Sequence, residues 1–182
     1  VYKNRTALTK ALQEQAAAAH PGDPAPQMPI LVAEKLAELM DPVHGGVRGA
    51  PKFPQVPLLS LLWRAYLRTG RKDFAEPVTR ALDHMSEGGI YDHLGGGFAR
   101  YSVDEAWLAP HFEKMLYDNA LLIDLLTLVW QETKTPLYER RVRETVEWIA
   151  REMVTEEGGI AASLDADSEG VGGKFYVWSA GD

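Results

Sequence analysis

The sequence predicts an all-α fold: a repeat of helical hairpins in two layers, an α/α toroid. Three observations point there. Six segments carry helical composition or apolar periodicity. The connections between them alternate in kind: long ones at Gly45-Gly46-Val47, Gly88-Gly89-Ile90 and Gly158-Gly159-Ile160, short polar ones at Thr69-Gly70-Arg71 and Lys134-Thr135-Pro136. The helices leaving the long connections, 57–68 and 110–133, are more apolar than a returning one such as 137–154. An apolar inner layer and an amphipathic outer layer are what a toroid needs. An ordinary irregular helical bundle is the plainer alternative.

The elements follow in order. Residues 3–19 are rich in strong helix formers and stop at His20-Pro21-Gly22. The proline-rich run 21–29 reads as a linker, so the chain divides into 1–29, a helix with its linker, and 30–182, the toroid-type domain. The second helix covers 30–40, with Leu31, Leu36 and Leu39 on a helical period and a stop at Asp41-Pro42. The third, 57–68, is apolar around most of its circumference between Leu58 and Trp63, which signals deep burial. The fourth, 73–86, has Asp73 as candidate N-cap and Pro77 near its first turn, where proline harms least. The fifth begins at Pro110, a favoured first residue, and runs to 133. The sixth, 137–154, turns Val142, Val146, Ile149 and Met153 inward. Residues 159–163 and 174–179 have strand composition and predict a small β-hairpin around Leu164–Gly173.

Composition narrows the function. A net charge of −7 and a pI near 5.3 argue against nucleic acid or an anionic membrane as partner. There is no cysteine, hence no disulfide, thiolate zinc site or thiol redox chemistry in this chain. No apolar run reaches the roughly 18 residues a membrane span needs, and no signal pattern opens the chain, so a cytoplasmic location is expected. Val1 leads straight into helix-like sequence, as in a fragment or processed piece.

The chemistry concentrates between Gly88 and Tyr117. If Pro110 opens a helix, a 100° step puts His111, Met115 and Asp118 on one face, with Lys114 and Asn119 flanking and Glu113 and Tyr117 elsewhere. Asp92 and His93 suit a general base and its partner. Tyr91, Phe98, Tyr101 and Trp107 offer flat faces to a sugar ring, and Arg100 stands among them as a binding residue. Asp165, Asp167 and Glu169 alternate, so an extended segment crowds three carboxylates on one side and raises the pKa of one, as acid catalysis requires. Paired carboxylates are the equipment of glycoside hydrolysis. Lys52 is a candidate for binding an acidic group. The same residues have plainer readings: His111 and Glu113 cap a helix, Asp118 pairs with a cation, the aromatics plug the end of the array, the acidic run is solvated, and Lys52 is a surface lysine. No phosphate-binding glycine motif is present, and the calcium-loop pattern begun at Asp165 fails at Tyr176, so neither a cofactor nor a metal is expected.

Three stretches, GGVRGAPKFPQ, GGIYDHLGGGFARYSVDEAWLAPHFEKMLYDNALL and LDADSEGVGGKFYVWS, resemble the helical region of the thioredoxin-domain-containing proteins related to spermatogenesis-associated protein 20. The resemblance runs from about residue 28 to 179. It implies an (α/α)6 toroid of the six-hairpin glycosidase type, similar to N-acylglucosamine 2-epimerases, of which about half is here. It also implies a thioredoxin-like domain outside this chain. Two functions are consistent with it. One is carbohydrate binding or processing, epimerase-like through His93 and His111, or hydrolase-like through Glu113, Asp165, Asp167 or Glu169. The other is a non-enzymatic scaffold that holds a partner or client for the redox domain.

Overall fold

The computed structural model describes residues 2–17 and 25–178. The expected break at His20-Pro21-Gly22 and the last residue of the expected final strand, Ser179, lie outside them. The described helices are α1 (Tyr2–Ala17), α2 (Met28–Leu39), α3 (Val56–Thr69), α4 (Lys72–Glu87), α5 (Leu116–Thr133) and α6 (Pro136–Trp148), which continues as a π-helical turn over Ile149–Met153. α3 packs against α2, α4 and α5; α5 packs against α3 and α6; α4 also touches α2 and α6. This is a two-layered array, with the apolar α3 and α5 on one side and α2, α4 and α6 on the other. Trp63, Phe74, Leu82, Met85, Leu122, Leu125 and Leu126 fill the space between.

The short connections are as tight as their composition suggests. α3 stops at Gly70, whose N–H returns to the Tyr66 carbonyl in a left-handed conformation, and α5 stops the same way at Lys134 on Trp130. Several details differ from expectation. Arg71, not Asp73, precedes α4, and its guanidinium binds Asp73 in the first turn. α2 turns Ile30, Ala33, Leu36 and Ala37 inward, with Met40 buried just past its end, and leaves Leu31 and Leu39 exposed. α6 buries Tyr138, Arg141, Thr145 and Trp148, and Val146 is exposed. Arg141 can occupy an inward position because the Ser86 carbonyl, the Glu144 carboxylate and the face of Tyr91 receive its charge.

The largest correction concerns the fifth helix. It begins at Leu116, not Pro110. Residues 110–115 are extended: β2 (Pro110–His111) pairs antiparallel with β1 (Tyr101–Ser102), and β3 (Lys114–Met115) pairs with β4 (Ser163–Leu164). The expected hairpin also shifts. Its strands are β5 (Asp167–Ser168) and β6 (Val171–Gly172), inside the acidic run, and Lys174–Tyr176 form turns. Long-range pairing overrides the local preferences of these short segments.

The glycine turns repeat, in a register other than the expected one. Met40 bridges Val47 around the first turn; the Asp41 N–H bonds the Gly46 carbonyl and the Gly45 N–H returns to the Asp41 carbonyl. Tyr91 bridges Phe98 around the second, with Asp92, Gly96 and Gly97 in the same roles. The equivalent of Gly45-Gly46 is therefore Gly96-Gly97, not Gly88-Gly89. Val154 bridges Ile160 around the third, which is one residue shorter: the Thr155 N–H bonds the Gly159 carbonyl and the Gly158 N–H returns to the Thr155 carbonyl. The three turns share one end of the array. Trp107, from the second connection, donates its indole N–H to His44 in the first, and the third connection supplies β4 to pair with β3.

Candidate functional site

A buried ion pair anchors each of the first two turns. Asp41 accepts the Val43 and His44 N–H groups on Oδ1 and the Lys52 ammonium on Oδ2 at 2.6 Å; Lys52 also reaches the Gly45 carbonyl at 3.0 Å. Asp92 accepts the Leu94 and Gly95 N–H groups and Lys114 at 2.8 Å, and Lys114 reaches the Gly96 carbonyl at 2.8 Å. Trp107 lies over Lys52 and Trp148 over Lys114. Burial alone would raise both carboxyls. The lysines and the N–H donors outweigh it, holding Asp41 at about 2 and Asp92 below the usual range. Lys52 is thus a closed internal cation, not a surface lysine, and Asp92 is already committed to Lys114.

The extended run from Pro110 to Lys114 separates two environments, because successive side chains of an extended chain point to opposite sides. Pro110, Phe112 and Lys114 line a cavity of about 300 Å³ together with Asp92, His93, Leu94, Tyr176 and Trp178. Phe112 and Tyr176 stack with ring centroids 5.3 Å apart. His93 is fixed at the cavity edge: Nε2 lies 3.0 Å from the Gly88 carbonyl and Nδ1 lies 3.2 Å from the Arg141 guanidinium. An Nε2-protonated ring satisfies both contacts.

His111 and Glu113 are absent from that cavity lining. The His111 ring stacks on Tyr101 at 4.6 Å and 11°, and Tyr101 meets Phe53 at 4.7 Å, so three flat rings form a row. Glu113 binds the Arg100 guanidinium at 2.7 Å, and its carbonyl accepts the Arg100 N–H. Asp118, in the first turn of α5, completes this group. Burial raises its pKa to about 6, with Arg100 and Tyr117 opposing and Glu113 adding to the rise; its Oδ2 is buried without a partner. A helical period separated Glu113 from His111, whereas the strand period puts them on one side. Tyr117, expected to point elsewhere, acts on both Arg100 and Asp118.

The remaining expected site residues are placed as follows. Asn119 is fully buried; it clamps both backbone groups of Phe98 and the Met115 carbonyl, which removes it from any substrate surface. Trp107 is fully buried over Gly46, closing the array end. Tyr91 is 2% exposed, its hydroxyl spent on Glu144 at 2.6 Å and its face covered by Arg141. Asp165, Asp167 and Glu169 are exposed; Asp165 accepts the Asp167 N–H, and Glu169 pairs with Lys174. One residue beyond the Lys114–Leu164 pair, the register brings Asp165 opposite Glu113. Among the described residues no three His, Asp or Glu side chains converge as a metal site would require. Phe53, Phe112, Tyr117, Tyr176 and Trp178 are site features not among the expected ones. The signal for Phe53 was its position beside Lys52 at a glycine-turn end; Tyr117 required knowing where α5 begins.

No family model matches the chain. Human spermatogenesis-associated protein 20 is 36% identical over 156 residues, which is 80% of this chain, and the mouse protein is 35% identical over the same length. The chain spans only 20% of these relatives. Among solved structures, a sugar epimerase from a ruminal bacterium superposes with a TM-score of 0.65 at 17% identity, covering 74% of this chain and 37% of that one. Cellobiose 2-epimerase from Spirochaeta thermophila gives 0.61 at 21%, covering 78% and 42%. An unsaturated glucuronyl hydrolase specific for heparin gives 0.59 at 11%, covering 72% and 40%. At these identities the likeness is one of fold.

Proposed function

From a chain homologous to one segment of spermatogenesis-associated protein 20, we propose a carbohydrate-binding role at the glycine-turn end, on the side that carries Arg100, Tyr101, His111, Glu113 and Asp118. We read residues 30–182 as part of an (α/α)6 toroid and residues 1–29 as a helix and linker leading into it. The observation that carries the proposal is the row Phe53–Tyr101–His111 beside the Arg100–Glu113 pair. Flat rings cover the apolar face of a sugar, and a guanidinium with carboxylates meets its hydroxyls. Sugar-acting enzymes among the structural neighbours support the same substrate class.

The two carboxyls are unlike. Glu113 is paired with a cation, whereas Asp118 has a pKa raised to about 6 and no hydrogen-bonded cation. An ion-paired carboxylate beside a carboxyl that burial keeps partly protonated suits a division into base and acid. That division serves proton transfer at a sugar carbon or at a glycosidic oxygen equally, and we propose acid–base chemistry without choosing between epimerisation and hydrolysis. The Asp92–Lys114 pair and Asn119 act as framework in this reading.

The test is calorimetric titration of the full-length protein with cellobiose, mannose and glucuronate. Wild type should bind at least one, and Tyr101→Ala and Arg100→Ala should each weaken binding tenfold or more at unchanged helical circular dichroism. Sugar binding that survives both substitutions refutes the site; failure of all sugars refutes the substrate class. A second reading, a partner-binding scaffold, draws support from the apolar rim around the opposite cavity, where Leu94 is 87% and Trp178 is 74% exposed. Sugar-independent binding of an apolar peptide there would favour it.

A further inference from the structure

The extended run 110–114 has a second side, away from Arg100, Glu113 and Asp118. There Pro110, Phe112 and Lys114 border the cavity of about 300 Å³, with Asp92, Tyr176 and Trp178 across from them. A further hollow of about 310 Å³ shares Asp92, Leu94, Tyr176 and Trp178 with it and extends to Glu152. Ligand cavities begin at roughly 300 Å³, and an apolar cavity of about 150 Å³ already holds benzene. The space suits a compound of about two fused rings. The walls suit rings as well. Phe112 and Tyr176 stack at 5.3 Å and 5°, Phe175 meets Tyr176 edge-on at 5.1 Å, and Trp178 borders both hollows. Aromatic rings pack on one another in offset or edge-on geometry.

The polar groups of this lining already have partners, save one. Asp92 holds Lys114 and two backbone N–H groups, and Lys114 holds Asp92 and the Gly96 carbonyl. Both His93 nitrogens are engaged, by the Gly88 carbonyl and by Arg141. Glu152 takes Arg151 on one oxygen and the Trp148 indole N–H on the other. No lining carboxylate is left to pair with a cation, and no lining cation is left for an anion. Tyr176 differs: its hydroxyl makes no hydrogen bond among the described residues. Burial, helped by the charges of Asp92 and Glu152, pushes that phenol up to about 12. It stays protonated at neutral pH and keeps one O–H to donate.

We propose that this cavity binds an uncharged aromatic compound of about two fused rings, carrying one hydrogen-bond acceptor that the Tyr176 hydroxyl meets. Its ring lies among Phe112, Tyr176 and Trp178. A peptide backbone would bring N–H groups for which this lining has no free side-chain acceptor, so a small ring compound fits it better than a chain. The site lies across the strand from the proposed sugar side and does not depend on it.

The probe is quinoline at pH 8, where its ring nitrogen is an uncharged acceptor. Saturation-transfer NMR and calorimetry on the full 182-residue chain should show saturable binding at one site. 2-Naphthoate, of similar shape but anionic, should bind at least tenfold more weakly. Tyr176→Phe keeps the ring wall and removes the donor. It should weaken quinoline about threefold to tenfold, the worth of one neutral hydrogen bond, and leave naphthalene unchanged. Trp178→Ala should weaken both uncharged probes at unchanged circular dichroism. The proposal is overturned by any of three results: no saturable quinoline binding, equal affinity for 2-naphthoate, or quinoline affinity that survives both substitutions. Uptake of an apolar peptide by a chain that ignores quinoline overturns it in favour of the scaffold. Cellobiose should not displace quinoline; displacement would put the probe on the sugar side and overturn the separate site. The quinoline readouts involve no sugar, so their failure is distinct from failure of the carbohydrate site.

Discussion

Removing the Lys52 ammonium should unfold the first glycine turn. In Lys52→Met the side chain keeps its length, but Asp41 loses its cation while remaining 8% exposed. Stranding one member of a buried pair costs about 3–5 kcal/mol. The carboxyl gives its own measure. A pKa lowered from 3.8 to about 2 corresponds to about 2.5 kcal/mol of stability at neutral pH. That contribution is fully present above the ordinary value of 3.8 and is lost as pH falls toward 2, because the unfolded carboxyl takes up its proton first. A chain of this size loses roughly 2–4 °C of Tm per kcal/mol. Lys52→Met and Asp41→Asn should therefore each lower Tm by roughly 6–20 °C at pH 7. The double variant should lose less than the two single losses combined, since it leaves no unpaired charge. Thermal unfolding of this 182-residue chain, followed by circular dichroism between pH 3 and 7, makes the check. Single variants within 2 °C of wild type, or strictly additive losses, would show that the pair does not hold the turn.

Three further outcomes follow from the same contacts. Gly96→Ala places a methyl 2.8 Å from the Glu144 carbonyl at φ +86, whereas Gly49→Ala at φ +99 meets nothing within 4 Å; the first should lower Tm by several degrees more than the second. Asn119→Ala leaves Phe98 without either of its side-chain partners and should cost about 2–4 kcal/mol in urea unfolding, with sugar affinity of the folded protein unchanged. Asp118 carries the opposite sign from Asp41. Its folded pKa of about 6 lies above the ordinary 3.8, so its ionisation destabilises the fold as pH rises between those values. Asp118→Asn should raise Tm at pH 7 and leave it unchanged below pH 4, and a lower Tm at pH 7 would contradict the burial that raises its pKa.

Much of the architecture is legible in the sequence because it rests on local signals. Gly70 and the Lys134–Pro136 turn mark tight helix ends, and the apolar run from Leu58 to Trp63 marks an inner helix. The turn repeat was legible too, though in a different register. Asp41 precedes Gly45 by four residues and Asp92 precedes Gly96 by four, a match that Gly88-Gly89 lacks. The lysines disguised it: Lys52 follows its glycine pair by six residues and Lys114 follows its pair by 17. The site was harder to read because Pro110 suits the first residue of a helix, and only pairing with Ser102, across a loop, makes it a strand. Once the period changes from 3.6 to 2, the grouping of His111, Glu113 and Asp118 changes with it.

The same strand joins framework to site. Lys114 is fixed by Asp92 and the Gly96 carbonyl, so the chain one residue earlier cannot slide. Glu113 is thereby presented to Arg100 through both its carbonyl and its carboxylate. At the other end, Tyr101 and His111 are register partners, and their stacked rings carry that register outward. Substitutions along this run should therefore alternate in kind. Changes at Phe112 and Lys114 should act through packing and stability, and changes at His111 and Glu113 should act through binding in a protein that still folds. The lysine lock and the candidate sugar-binding side are consequences of one extended segment read from its two faces.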